Sequence, residues 1–563
     1  MTDPYVSARP AAPATILDAL DRAADGDRGF DFHSARGALL ESLPYARLRD
    51  DARALARRLL AAGLAPGDRV ALIAETEADF VRLFFACGYA RLIPAPMPLP
   101  MAFGGREAYL AHIRRMIERA DAAAAFAPAP LKAWLEEAAA GLPLRFVGAL
   151  ADLPEDAAEG DLPRPAPEDL AYLQFSSGST QFPKGIMVTH AALMANAEAI
   201  SRHGLKTTPA DRCVSWLPFY HDMGLVGFLL TPVVAGLSVD YLATRDFARR
   251  PLMWLELIAR NRATISYSPS FGFELCAQRA ATLDLKDLDL SSWRTAGIGG
   301  DMIRPHILRR FVERFAPHGF DAGALTPSYG MAEATLALSF APLGEGLRTE
   351  TLDLDALENE GAARPAGDEA RAREFVLCGP ALPGHAIEAR DAAGAVVPAG
   401  AVGRIFARGP SLMTAYFRDP DATAEAVADG WLDTGDLGYV ADGQIVITGR
   451  AKDLILVNGR NLWPQDLEWA AEREIPGLRS GDVAAFSVDG AEGEEVAALV
   501  QCRSSDPETR SKLADDVAGL LRQRFGVPVV VRLVGAHALP VTSSGKLSRS
   551  RARELYRAMA AQA

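Results

Sequence analysis

The chain has 563 residues, too many for one hydrophobic core, so several packed units are expected. Hydrophobic residues at 49% and charged residues at 23% match ordinary globular proteins, which excludes disorder, collagen and coiled coil. A formal charge of −13 sets the whole-chain field against phosphate backbones, so no nucleic-acid partner is expected.

The first ten residues, MTDPYVSARP, place Asp3 early and no apolar run behind a basic start, unlike a signal peptide. Apolar residues recur at helical spacing over 51–64, and 69–74 reads as a short strand. The proline-rich stretch 94–100 reads as a rigid extended connector, followed by a helix with Leu110, Ile113, Met116 and Ile117 on one face. An apolar strand at 170–175 leads to a hydroxyl-rich loop and then a helical pattern from His190. The longest uncharged stretch, between Asp222 and Asp240, is broken by Pro232 and glycines and is too short to span a bilayer. It reads as a buried helix, so no integral membrane segment is expected and a cytoplasmic location is. Alternation of strands and helices through this half predicts mostly parallel sheets covered on both faces.

The texture then changes. Residues 342–373 are polar and rich in Ala, Glu and Arg, a loop or appended helix rather than core. Residues 375–448 read as antiparallel, with Asp442-Gly443 a two-residue hairpin turn. Strand-like runs at 484–488, 496–500 and 529–534 flank a helix over about 508–525, a small α+β unit of its own. Gly449-Arg450 is a plausible hinge, dividing the chain into 1–450 and 451–563. The expected class is therefore α/β. A large N-terminal domain of layered, mostly parallel sheets carries a small antiparallel, barrel-like subdomain, and a small mobile α+β domain follows. Cys87, Cys213, Cys276, Cys378 and Cys502 are scattered, with no C-x-x-C pair, which argues against a disulfide framework or a structural zinc site.

Four strings carry chemistry. Ser176-Ser177-Gly178-Ser179-Thr180, with Lys184 after it, offers hydroxyls, flexible backbone N–H groups and a counter-charge for phosphate oxygens. The Walker spacing fails, and taken alone the string also describes a surface loop. In Ser328-Tyr329-Gly330-Met331-Ala332-Glu333 the tyrosine offers a flat face for a base, and the glutamate a hard oxygen ligand for Mg²⁺. A core tyrosine and a helix-starting glutamate would look the same. Asp436 in a T-G-D-L turn can accept ribose hydroxyls, with Arg450 opposite as donor. Lys546, on a Gly/Ser loop near the C-terminus, can be delivered as a mobile cation to charge developing on phosphorus.

In this order and at these separations, the set resembles the adenylate-forming superfamily of acyl-CoA synthetases, adenylation domains and luciferases. Within it, the segments 216–225, 329–336 and 459–468 resemble the fatty acyl-AMP ligases. Residues 342–373 fall where that family carries an insertion that restrains domain motion and disfavours CoA, and Gln181 replaces the glycine usual in CoA synthetases. The resemblance implies ATP and Mg²⁺, a fatty acid substrate, an acyl-adenylate intermediate and an acyl carrier protein as acceptor, with CoA the alternative. It implies that Ser176 to Thr180 and Lys184 bind the β- and γ-phosphates and that Glu333 holds Mg²⁺. Tyr329 would stack on adenine, Gly300 and Asp301 would stand on the adenine side, and Asp436 with Arg450 would hold the ribose. Lys546 would meet the carboxylate and α-phosphate, His221 would gate or orient the carboxylate, and the small domain would rotate about Lys452. An acyl tunnel is expected between the apolar helix after Gly224 and the segment 268–273, with Gly224, Leu225, Ser270, Phe271 and Phe273 in the acyl pocket. Other readings are a non-catalytic nucleotide-binding relative, or an enzyme for amino or aryl acids, which the apolar Phe271/Phe273 region disfavours.

Overall fold

The computed structural model describes residues 12–100, 105–176, 183–281, 283, 285–367, 371–457, 460–490, 493–542 and 546–561. Its largest sheet has eight strands, in the order Ala337–Phe340, Leu325–Gly330, Thr295–Ile298, Ile265–Ser268, Arg212–Ser215, Ser238–Leu242, Gly29–His33, Leu39–Pro44. The inner strands run parallel, and the strand at each edge is antiparallel to its neighbour. Strands such as Ser238–Leu242 and Thr295–Ile298 are buried at every position, as covering on both faces requires. One covering helix, Pro305–Phe315, begins on proline, whose missing N–H costs nothing there. It buries Ile307, Leu308, Phe311 and Phe315 along a single stripe.

A second sheet of four parallel strands stands beside the hairpin Leu170–Phe175/Gly185–Thr189. Here the proline-rich stretch departs from expectation: Ile93–Met97 is a strand of this sheet, not a connector. Ile93 N donates to Asp68 O and Met97 O accepts from Ala74 N. Pro94 and Pro96 thus fall at the alternate positions, where the missing N–H is not needed by the neighbouring strand. The helix expected over 51–64 is longer at its start, spanning Tyr45–Ala61. The stretch after Asp222 is helical but not uniformly so. Met223–Leu230 is wound as a π-helix, Thr231–Ala235 is α-helical, and Gly236 ends it in the left-handed region at φ 67°.

The antiparallel sheet is built as expected, Asp442 and Gly443 turning its hairpin at φ 47° and 76°. Residues 342–373 contribute an edge strand to it, Thr349–Asp353, and the helix Leu354–Glu360. From Ile455 onward the chain forms its own cores on both faces of a three-stranded sheet. Alternate residues of Val483–Gly490 face opposite ways: Val483 and Ala485 pack with Leu467, Val517 and Leu521, and Ala484 and Phe486 with Ala552 and Tyr556.

This C-terminal unit is tied to the rest by charge. Arg373 meets Asp466 at 2.7 Å, Arg304 donates to Ser480 Oγ at 2.8 Å, and Arg460 reaches Glu358 of the polar insertion at 2.5 Å. Trp469 lies between Arg304 and Arg373, their guanidinium carbons 5.0 and 5.2 Å from its ring centre.

Candidate active site

The hairpin of the second sheet closes at Phe175 and Gly185, where Ser176 N donates to Lys184 O at 3.0 Å and Lys184 N to Ser176 Oγ at 3.1 Å. Ser177, Gly178, Ser179, Thr180 and Gln181 lie outside the described residues. The Lys184 ammonium sits 4.6 Å from the ring centre of Tyr416, whose hydroxyl donates to Glu333 Oε1 at 2.9 Å. Burial raises the Glu333 pKa, and the Tyr416 hydroxyl offsets only part of that. The carboxylate thus stands where a cation would be welcome. Tyr416, which couples Lys184 to Glu333, belongs to no motif read from the sequence.

Tyr329 ends the strand Leu325–Gly330, and its hydroxyl donates to Asp436 Oδ2 at 2.8 Å. Asp436 faces Arg450 in register across the hairpin, Nε to Oδ1 3.4 Å, and that carboxylate raises the Arg450 pKa. Gly330 cannot be anything larger, because a Cβ there would lie 1.9 Å from Leu336 O. Gly300 turns at φ 79°.

Lys546 arrives from the far end of the chain. Val541 bridges Leu547, and Thr542 N donates to Lys546 O at 2.7 Å, so the lysine is held beside Thr542. Three residues on, Arg549 anchors this part of the chain, donating to Glu468 at 2.7 and 2.6 Å and to Asp453 at 2.9 Å. Burial lowers the Lys546 pKa, resisted by Asp301, Asp222 and Asp436, and burial lowers that of Lys452 too. His221 Nδ1 lies 2.6 Å from Asp222 Oδ1. Burial works to raise the Asp222 pKa, but His221 outweighs it with help from Lys546, so it stands below the usual carboxylate value.

These groups meet in one cavity of about 300 Å³, lined by Ser176, Lys184, His221, Gly300, Ser328, Tyr329, Gly330, Met331, Glu333, Arg450, Lys452 and Lys546. An adjoining cavity of about 170 Å³ shares Tyr329, Arg450 and Lys546 and adds Asp301 and Asp436. The ammonium of Lys546 is thus common to both.

The main cavity runs on into apolar walls, which the helix after Gly224 lines through Gly227 and Phe228 but the expected segment 268–273 does not. None of Gly224, Leu225, Ser270, Phe271 and Phe273 lines it. Leu225 is core, Gly224 packs on the Pro218 carbonyl, and Ser270 Oγ accepts from Arg304 N at 3.2 Å. Phe271 is 39% exposed at the edge of Trp216, and Phe273 belongs to an aromatic cluster with Trp254, Trp293 and Phe311. The walls are instead Ile200, Leu205, Phe228, Tyr267, Leu336 and Phe340. Ile200 and Phe228 lie on separate π-helical segments, Ala199–Gly204 and Met223–Leu230, a winding that recurs at functional sites because it displaces side chains from the regular stripe. No motif marks these positions.

The comparisons agree with this geometry. The family model of the AMP-binding enzymes matches residues 32–417. A protein of Caulobacter vibrioides, provisionally named an acyl-CoA synthetase, is 58% identical over 96% of this chain and 95% of its own. The long-chain-fatty-acid–AMP ligase FadD32 of Mycolicibacterium smegmatis is 32% identical over 94% and 91%. A solved structure from a study of fatty acyl-adenylate ligases of E. coli and L. pneumophila superposes with a TM-score of 0.92. It shares 46% identity over 98% of this chain and 100% of that one. A cavity assembled from both ends of the chain, the family model and these relatives agree: this chain belongs to the AMP-binding enzyme family and, within it, to the fatty acyl-AMP ligases.

Proposed function

We infer that this protein activates a medium- or long-chain fatty acid with MgATP and passes the acyl group to the phosphopantetheine thiol of an acyl carrier protein. The observation that carries the reading is that Lys546, Lys184, Arg450 and Glu333 share a cavity that continues into apolar walls. An anion and a polyanion must meet there, so the barrier is electrostatic, and preorganised cations are what lower it.

In the first half-reaction a carboxylate oxygen forms a bond to the α-phosphorus, and the bond to pyrophosphate breaks. We assign Ser176, Ser177, Gly178, Ser179, Thr180 and Lys184 to the β- and γ-phosphates. Lys546 neutralises charge between the carboxylate and the α-phosphate. Tyr329, Gly300, Asp301, Ser328, Gly330 and Met331 form the base site, and Asp436 and Arg450 the ribose site. Mg²⁺ enters with ATP as substrate, and a buried carboxylate whose pKa burial raises fits a hard cation that would favour its charged form. Glu333 is that ligand, and His221 orients the acid. In the second half-reaction the thiol sulfur bonds to the acyl carbon, AMP leaves, and the thiol proton passes to solvent.

The second step needs Lys546 withdrawn, so we assign 451–563 as a mobile domain turning about Lys452. The polar insertion supports a restrained turn: Glu358 of its helix accepts from Arg460 and its carbonyl from Asn461. That restraint favours a carrier protein over free CoA. A second reading, transfer to CoA, is favoured by the name of the Caulobacter relative. Pyrophosphate exchange with fatty acids of graded length, then acceptor assays with CoA and holo carrier protein in parallel, tests both. Acyl-adenylate that waits for the carrier protein supports the first, and rapid acyl-CoA formation replaces it with the second. Among the described residues no helix is long and apolar enough to cross a membrane, and a cytoplasmic site of action goes with this reading.

A further inference from the structure

Gly227, on the π-helical segment Met223–Leu230, lines the main cavity beside its apolar walls. The segment's other residues are buried, whereas Gly227 keeps part of its surface accessible. A glycine inside a helix weakens it relative to alanine, so its presence there calls for a reason. The usual reasons are a left-handed φ or a close approach of packed atoms. Neither applies at 227. Its φ lies outside the left-handed region. Among the described residues outside its own helical turn, the atom within 4 Å of a Cβ built there is Leu336 Cδ2, at 3.3 Å. That atom is the free end of a side chain that itself lines the cavity.

Two other glycines nearby show the contrast. A Cβ on Gly224, earlier in the same segment, would run into the Pro218 and Leu217 carbonyls. One on Gly204 would stand 2.8 Å from the ring of Phe340. Those two make room for the protein's own atoms, but the room beside Gly227 belongs to the cavity.

Its place along the cavity follows from its neighbours. Met223, four residues earlier, lines the same cavity, and its N–H is shared between Asp222 Oδ1 at 2.7 Å and His221 Nδ1 at 3.3 Å. Its sulfur lies 3.1 Å from the position of a Cβ on Gly300. Met223 thus marks the polar end. Leu336 is tied to that end as well, because its carbonyl accepts from Met331 N at 2.8 Å, in the loop that carries Glu333. An acid held by its carboxylate at the polar end would pass Met223 first, and then Gly227 and Leu336.

We propose that Gly227 is a specificity-determining residue: its bare backbone and Leu336 bound the passage by which the acyl chain leaves the polar end, and the missing side chain admits chains of more than a few carbons. This deepens the reading given above and rests on it. An alkyl group at 227 would take the room of the chain itself, and one misfitted methylene in a hydrophobic pocket changes selectivity by about 10- to 200-fold.

The test is acid-dependent pyrophosphate exchange with saturated acids from butyrate to palmitate, beside thermal unfolding of the free protein. Gly227→Leu should lose on the order of 10²-fold in kcat/KM with palmitate, while butyrate, too short to pass Leu336, stays near its wild-type value. Gly227→Ala should lose about tenfold with palmitate. Its Tm should be unchanged or higher, since alanine restricts the unfolded chain where the native φ suits it. A length profile unaltered in Gly227→Leu, or an equal loss with butyrate and palmitate, would overturn the proposal. So would a lower Tm for Gly227→Ala, which would mean that packing requires the glycine. In each of these cases the wild-type activity stands. Absence of exchange with every acid in the wild type would instead overturn the activity itself, and this inference with it.

Discussion

The two ends of the cavity teach opposite lessons. The polar end is made of residue types that a core avoids: a lysine on a hydroxyl loop, a buried glutamate, an aspartate facing an arginine, and a lysine delivered by the tail. Each sits on a short contiguous string, because a turn or hairpin fixes the backbone around it. The apolar end is made of Ile200, Leu205, Phe228, Leu336 and Phe340, chemically the same as the core around them. Charge announces itself in a sequence, whereas a hole among hydrophobic residues does not.

The comparison breaks most readily at Lys546. Lys546→Ala should slow acyl-adenylate formation on the order of 10²-fold or more, the loss typical of a charge-stabilising donor. Pyrophosphate exchange at the wild-type rate would show that the polar end works without this cation.

Tyr416→Phe is the next largest. It removes the hydroxyl on Glu333 but keeps the ring beneath Lys184, so the rate should fall about tenfold, as for a hydrogen bond to a charged group. The loss should be steepest at limiting Mg²⁺. A variant with unaltered Mg²⁺ dependence would separate Tyr416 from the carboxylate assigned to Mg²⁺.

The apolar end is sharpened by a pair of variants. Phe228→Ala should shift the chain-length optimum, with selectivity changing by up to about fourfold per methylene re-buried, at roughly 0.8 kcal/mol each. Phe271→Ala, at the Trp216 edge, should leave the profile in place. The reverse result would return the tunnel to the segment after Ser268.

The smallest effect is one of pH. The role proposed for Lys546 requires an ammonium, and burial in the free protein lowers its pKa below the ordinary 10.5. Activity that needs the proton is present below that pKa and lost as pH rises through it. The alkaline limb of kcat/KM should therefore lie below 10.5, and that of kcat higher, because bound phosphate favours the charged form. A kcat/KM limb at or above 10.5 would mean that the free protein keeps this amine in water.

Much of the fold was legible for the same reason as the polar end. Alternating strands and helices, the Asp442-Gly443 turn and the three C-terminal strands each follow from local periodicity or a required φ. Pro94 and Pro96 misled because proline reads as a break, yet an edge strand tolerates it at alternate positions. The π-helical winding after Asp222 was equally hidden, since a run of apolar residues carries no mark of whether its hydrogen bonds close at four residues or five.

What the amino-acid order determined alone is the inventory of charges, hydroxyls and turns, because each depends on residue type and on neighbours close along the chain. Which of them converge was decided only by the packed structure. Tyr416 reached Lys184 and Glu333, Arg549 tied the chain after Lys546 to Glu468 and Asp453, and Gly297 made room for Tyr267, all through contacts between residues distant in sequence. The void that would hold an acyl chain belongs to no residue, and it exists only once the elements around it have packed.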